Sequence, residues 1–380
     1  MHSYIYMILL LAFCCTTVIA KPLRLYSNEF PIGVYSADHA TEDNFRYLKS
    51  IGVNYVHTYG MGSNTAENNI KAKKFLDLAN KFGLKVMFNL KGRIWANKKD
   101  GVKELKKLVR KFKKHPALGF WYLYDEPLPK HLPALKKIYR MLKFESPDIP
   151  VALVTPWIKG WGEFAQVCDI LMVDLYPVRD KEFPNSKINH IIDFTRSAVN
   201  TNKMIIPVFQ AINWKIFADQ LKGKGYNESK FRFPNRTEMR FWIFSSLCLG
   251  VRGQFYYSYY NAKYRCKGQK WLDTVLAPCI KESRKFVKLV GKAWKPTKCK
   301  YFEDQKVYSA FWKNKKSEFL VIANNSPASR KLSVPLLKQS YNMKFEPWGE
   351  TRKISISTSK GNLILKSNIK PWEVLIWKIK

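Results

Sequence analysis

Gly119-Phe120-Trp121-Tyr122-Leu123-Tyr124-Asp125-Glu126-Pro127 is a run of apolar and aromatic residues that ends in two carboxylates and a proline. Its length, its aromatic content and the lack of charge before its end are those of a buried strand. Pro127 brings no N–H to a sheet ladder, so the strand stops before it and Asp125 and Glu126 occupy its C-terminal tip. In a parallel α/β barrel that tip carries the catalytic groups. Two adjacent carboxylates there are costly unless chemistry uses them or cations pair them. Salt bridges to neighbouring loops are therefore the alternative reading.

Outward from this run, strand and helix patterns alternate in both directions. Upstream, strands are expected over 31–37, 53–59 and 84–90, with helices over 41–50 and 66–82 between them. The second helix is expected to turn Ile70, Phe75, Leu78 and Ala79 inward. Over 102–114, Val102, Leu105, Leu108, Val109 and Phe112 fall at helical spacing, and lysines and arginines fill the other side. That is a solvated face of an amphipathic helix. Downstream come strands over 151–155, 169–176, 204–210 and 253–259, with helices over 132–142, 191–199, 238–249 and 281–290. Eight alternations in about 270 residues fit a (β/α)8 TIM barrel. A doubly wound sheet fits less well, because no glycine-rich phosphate loop follows the first strand. From residue 300 onward, short strand-like runs without a helix predict a small C-terminal β-sandwich. The expected organisation is a signal peptide over 1–20, the barrel over 21–299 and the sandwich over 300–380.

The leader reading rests on an apolar core from Ile5 to Phe13, followed by Val18-Ile19-Ala20 with a small residue at the cleavage position. It implies a secreted or extracellular protein, with lysosomal and periplasmic variants, and no integral membrane segment once the leader is removed. Cys168, Cys248, Cys266, Cys279 and Cys299 remain after cleavage. Cys266, Cys279 and Cys299 lie in polar surroundings and are candidates for a disulfide, while Cys168 and Cys248 read as core thiols. No cysteine or histidine spacing suggests a metal, and no cofactor is expected. Asn227, Asn235 and Asn324 open glycosylation acceptor patterns. The formal charge of +37 points to a polyanionic partner. A secretory leader argues against nucleic acid and for an acidic glycan, unless the charge is only solvated helix faces.

If the barrel closes, the strand tips share one cleft: Tyr35 and Asp38, His57 and Tyr59, Asn89, Asp125 and Glu126, Thr155 and Trp157, Asp174 and Tyr176, Gln210 and Trp214, Tyr257 and Tyr259. Paired carboxylates are the groups that break glycosidic bonds. Aromatic faces stack on the apolar faces of sugar rings. Core packing is the other reading of Tyr59, Trp157 and Trp214. Structural hydrogen bonding is the other reading of His57, Asn89 and Asp174.

The segment Gly119–Pro127 resembles the fourth-strand motif of the clan A TIM-barrel glycoside hydrolases, which ends Asn-Glu-Pro and whose Glu is the acid/base. Val173-Asp174-Leu175-Tyr176-Pro177, Val208-Phe209-Gln210-Ala211 and Gly250–Tyr257 resemble the sixth, seventh and eighth strands of such barrels. The resemblance implies a carbohydrate substrate and Glu126 as general acid; from their strand-tip positions, Tyr176, Gln210, Asn89, Tyr59, His57, Trp157, Trp214 and Tyr257 are the expected substrate-binding residues. Two positions depart from it. Asp125 stands where the clan has Asn, and Gln210 stands where its nucleophilic Glu belongs. Asp174 is then the first choice for the second carboxylate. A substrate acetamido group held by Asp125 is another route, as in substrate-assisted hexosaminidases. A site that only binds glycan is the remaining one.

Overall fold

The computed structural model describes residues 29–156, 161–179, 187–225, 228–291, 294–314, 317–335, 344–359, 362–365 and 368–380. The expected leader and Trp157 lie outside them. Eight parallel strands close a barrel in sequence order: β1 (Ile32–Val34), β2 (Tyr55–His57), β3 (Lys85–Asn89), β4 (Leu118–Asp125), β5 (Val151–Val154), β6 (Ile170–Asp174), β7 (Met204–Gln210) and β8 (Gln254–Tyr257), with β8 pairing back onto β1. Helices follow each strand, the main ones being α1 (Glu42–Ser50), α2 (Ala66–Lys81), α3 (Gly101–Phe112), α4 (Leu132–Glu145), α5 (Trp161–Phe164), α6 (His190–Val199), α7 (Arg236–Cys248) and α8 (Ala277–Val290). Local chemistry sets the helix starts. Thr41 and Thr65 cap α1 and α2 through their hydroxyls, and Asn235 and Glu238 form a reciprocal capping box at α7.

Two apolar cores result from the period of the strands. Tyr55, Met87, Phe120, Tyr122, Met172, Ile206 and Phe255 are among the side chains that fill the barrel. Neighbouring strand residues such as Val86, Phe88, Trp121 and Phe209 point outward into the helix layer. In α2 the buried stripe is Asn69, Ala72, Phe75, Leu76 and Ala79, whereas Ile70 is 57% exposed. The inward face is thus set one residue away from the Ile70 expectation.

The C-terminal part begins at β9 (Lys298–Phe302). It contains a five-stranded antiparallel sheet, with β10 (Val307–Lys313), β11 (Glu318–Asn324), β13 (Phe345–Pro347) and β16 (Val374–Ile379), in the order β13-β16-β11-β10-β9. A second sheet has the order β12-β15-β14, from β12 (Ser333–Pro335), β14 (Ile356–Ser359) and β15 (Asn362–Leu365). Phe319, Val321 and Ala323 of β11 face the barrel helices, and Leu320 and Ile322 face the core between the sheets. Burial on both faces explains why these strands read as continuous apolar runs. A buried Arg240–Glu282 pair at 2.8 Å, with Arg240 also donating to the Val374 carbonyl at 2.7 Å, ties α7 and α8 to the sheet.

Two expectations about modification change here. The five cysteines among the described residues are free thiols, so no disulfide joins Cys266, Cys279 and Cys299. Cys279 is buried on α8, Cys266 points at the Asn213 carbonyl, and Cys299 lies on β9. Asn324 is fully buried, with its amide donating to the carbonyls of Ala328 and Lys370, so it is no glycan acceptor in the folded chain.

Candidate active site

The site is assembled by an irregularity in β4. Tyr122 pairs with Ala152 and Tyr124 with Leu153, which leaves Leu123 as an extra residue. The bulge reverses the alternation. Phe120 and Tyr122 face the barrel interior, Leu123 and Tyr124 both face outward, and Asp125 comes back over the barrel mouth. Glu126 follows with φ at 51°, a left-handed conformation that side chains rarely adopt, and it too turns into the mouth. Gly92 makes room for the bulge, because a Cβ there would sit 2.2 Å from the Leu123 carbonyl oxygen.

The mouth holds a cavity of about 370 Å³, lined by Asp125, Glu126 and Asp174 together with Tyr35, Tyr59, Tyr176, Trp214 and Tyr257. Tyr176 and Tyr257 stack, with ring centroids 5.1 Å apart and planes 15° apart. Phe217 and Gln220, from the helical segment after β7, complete the wall. They were missed in the sequence because they lie beyond the strand tip. A second cavity of about 330 Å³ shares Tyr59 and Asp125 and extends to Asn89, Lys91 and Arg93.

The three carboxyls differ in their support. Asp125 accepts a hydrogen bond from the Tyr122 hydroxyl at 2.6 Å and another from Tyr59. Burial still raises its carboxyl above the usual range, with these hydrogen bonds opposing the rise. Asp174 is 4% exposed, and its Oδ2 accepts from the Tyr176 hydroxyl at 3.2 Å. Its Oδ1 meets no donor. The Glu126 carboxyl is within hydrogen-bonding reach of Asp174, and the two can bond only with a proton between them. Burial, then Glu126, then Asp125 push the Asp174 carboxyl far upward. Burial raises Glu126 as well, against the lowering effect of Asp174. The pair therefore holds one proton well above the pH at which a free carboxyl loses it.

Several sequence-derived candidates have other roles. Gln210 is fully buried and fully used: Oε1 accepts from Val178 N at 2.8 Å, and Nε2 donates to the Val178 and Ile212 carbonyls at 2.5 and 3.0 Å. It holds the loop after β6 to β7, both its N–H groups are used, and its burial keeps its oxygen from a sugar. His57 is enclosed by Tyr35, Tyr59 and Tyr122, at ring separations of 4.8, 4.5 and 5.2 Å, and does not line the cavity. Burial holds its imidazole neutral, with the pKa lowered to about 3. Asp38 accepts from the Thr58 hydroxyl and the Tyr59 N–H, fixing the loop after β2. Tyr259 donates to Asn44 away from the cavity. Among the described residues no group of His, Cys, Asp and Glu is arranged to hold a metal ion. No helix among them is long and apolar enough to cross a membrane.

No family model and no curated protein sequence matches the chain. Its fold is similar to solved glycoside hydrolase structures. A glycoside hydrolase family 5 protein from Bacteroides vulgatus is 13% identical, with a TM-score of 0.61, over 92% of this chain and 89% of that one. An alpha-amylase from H. orenii is 11% identical, with a TM-score of 0.55, over 92% and 98%. A glycoside hydrolase family 30 subfamily 8 xylanase from Clostridium acetobutylicum is 12% identical, with a TM-score of 0.52, over 95% and 97%. At these identities the likeness is one of fold.

Proposed function

We propose that the protein is a secreted glycoside hydrolase that cleaves O-glycosidic bonds of a poly- or oligosaccharide, with Glu126 as general acid. The observation that carries this reading is one cavity at the barrel mouth where Glu126 and Asp174 lie beneath a wall of aromatic rings. The alpha-amylase, the family 5 protein and the family 30 xylanase of similar fold support it. Glu126, nearer the solvent, delivers the proton to the leaving oxygen as the C–O bond breaks. Asp174 is left as a carboxylate facing the positive charge that develops at the anomeric carbon. Asp174 then serves as nucleophile or as base for a water, according to its distance from Glu126 in the bound state.

Two observations favour other versions. Asp125, fixed by Tyr122 and Tyr59, is positioned to hold a substrate acetamido group that attacks in place of Asp174. Gln210, sealed in the fold where the resembling family has its second Glu, favours a protein that binds glycan without cleaving it. The test is turnover and binding on a glycan panel by wild type and Glu126→Gln. Cleavage by wild type that is lost in the variant supports the enzyme. Binding without cleavage by either supports the glycan-binding protein.

A further inference from the structure

The largest cavity among those described is a groove of about 840 Å³ on the outside of the barrel, between α3 and α4. Six lysines line it: Lys98 and Lys99 from the segment before α3, Lys103 and Lys106 from α3, Lys130 from the loop after β4, and Lys137 from α4. Asp100 is the acid among its lining residues. Of the six, Lys106 alone forms an ion pair among the described residues, with Glu145 at 3.2 Å. A solvated helix face is convex and built by one element. This lining is concave and drawn from four segments, which concentrates positive potential in a low-dielectric wall.

One short helix, Gly92–Ala96, contributes residues to both the groove and the cavity beside Asp125. The cavity beside Asp125 is lined by Lys91 and Arg93, and the helix Gly92–Ala96 that carries Arg93 turns Trp95 and Ala96 into the groove. Basic side chains thus line both the cavity beside Asp125 and the groove. His131, beside this track, has its pKa lowered by burial and by the charges of Lys130 and Arg93, as a positive field requires.

We propose that the substrate is an anionic polysaccharide, carrying carboxylate or sulfate groups, whose chain leaves the cleft past Arg93 and lies in the lysine groove between α3 and α4. This rests on the glycosidase reading for the cleft and on the groove's own chemistry for the charge. Neutral polysaccharide gains nothing from six lysines.

The test is binding by full-length Glu126→Gln protein, which does not depend on turnover. Polygalacturonate and dextran sulfate are the anionic probes, with neutral dextran and duplex DNA for comparison. Binding to one anionic polysaccharide, weakened at least about tenfold by Lys98→Glu/Lys103→Glu/Lys137→Glu, supports the proposal, and the probe that binds tells carboxylate from sulfate recognition. The matched control Lys281→Glu/Lys300→Glu/Lys370→Glu, at exposed positions elsewhere, should change binding less than about twofold. Equal loss in the control, equal binding of neutral dextran, tighter groove-dependent binding of DNA, or binding to none of the probes overturns it. Absence of hydrolysis with groove-dependent polyanion binding intact would instead overturn the glycosidase reading alone.

Discussion

At the tip of β7, the Gln210 amide makes three hydrogen bonds to backbone groups of two segments, and nothing of it reaches the cleft. At the tips of β4 and β6, Glu126 and Asp174 have one tyrosine hydroxyl and each other. Gln210 and Asp174 are both buried at the same end of the same barrel, while Glu126 is exposed at its mouth. A satisfied amide is a stable part of the scaffold, whereas a buried carboxyl short of donors is held at a cost and is ready to change partners. Between Gln210 and Asp174, both at strand tips, hydrogen-bond satisfaction thus separates the structural residue from the reactive one.

The largest expected effect breaks the reactive side. Asp174→Asn should lower turnover by roughly 10²–10⁴-fold if Asp174 is base or nucleophile, with added azide restoring part of the loss. If Asp125→Asn is the more damaging change, and only substrates with an acetamido group react, substrate assistance replaces Asp174. The structural side responds in stability instead. Gln210→Met leaves Val178 N–H and the Val178 and Ile212 carbonyls unpaired, each worth about 1–3 kcal/mol before water relieves them. Denaturant titration should register that loss, while the pH profile of turnover keeps its shape.

A smaller effect sharpens the contrast between Asp125 and its neighbours. Tyr122→Phe removes a hydroxyl that donates to Asp125 at 2.6 Å. The Asp125 carboxyl should then titrate higher, and activity that needs it ionised should fall off at higher pH on the acid side. The smallest effect is in stability against pH. The folded-state pKa of Asp174 is raised above its ordinary value of 3.8. Stability from the protonated group is thus fully present below 3.8 and is lost as pH rises through the higher folded value. Thermal melts from acid to neutral pH should show that decline in wild type and not in Asp174→Asn, which should melt higher at neutral pH.

The alternation of strands and helices was legible because periods of two and near four leave a strong apolar signal, and the barrel followed from their count. The run Gly119–Pro127 also gave the tip where the carboxylates sit. Its bulge was invisible, because Leu123 and Tyr124 are both apolar and either suits the outer layer. For the same reason Tyr122 was not recognised as the partner of Asp125, although its parity with Phe120 marks it as inward. The role of Gln210 depends on Val178, which is remote in sequence, and no local pattern announces it. His57 looked like a cleft residue because its strand ends there, but three tyrosine rings cover it.

The central claim is that Glu126 protonates a leaving sugar oxygen. Its most direct test compares wild type and Glu126→Gln on an oligosaccharide and on an aryl glycoside with an activated leaving group. The account predicts a loss of roughly 10²–10⁴-fold on the oligosaccharide and a much smaller loss on the aryl glycoside, whose leaving group needs little protonation. Oligosaccharide hydrolysis that continues unchanged in Glu126→Gln would contradict it.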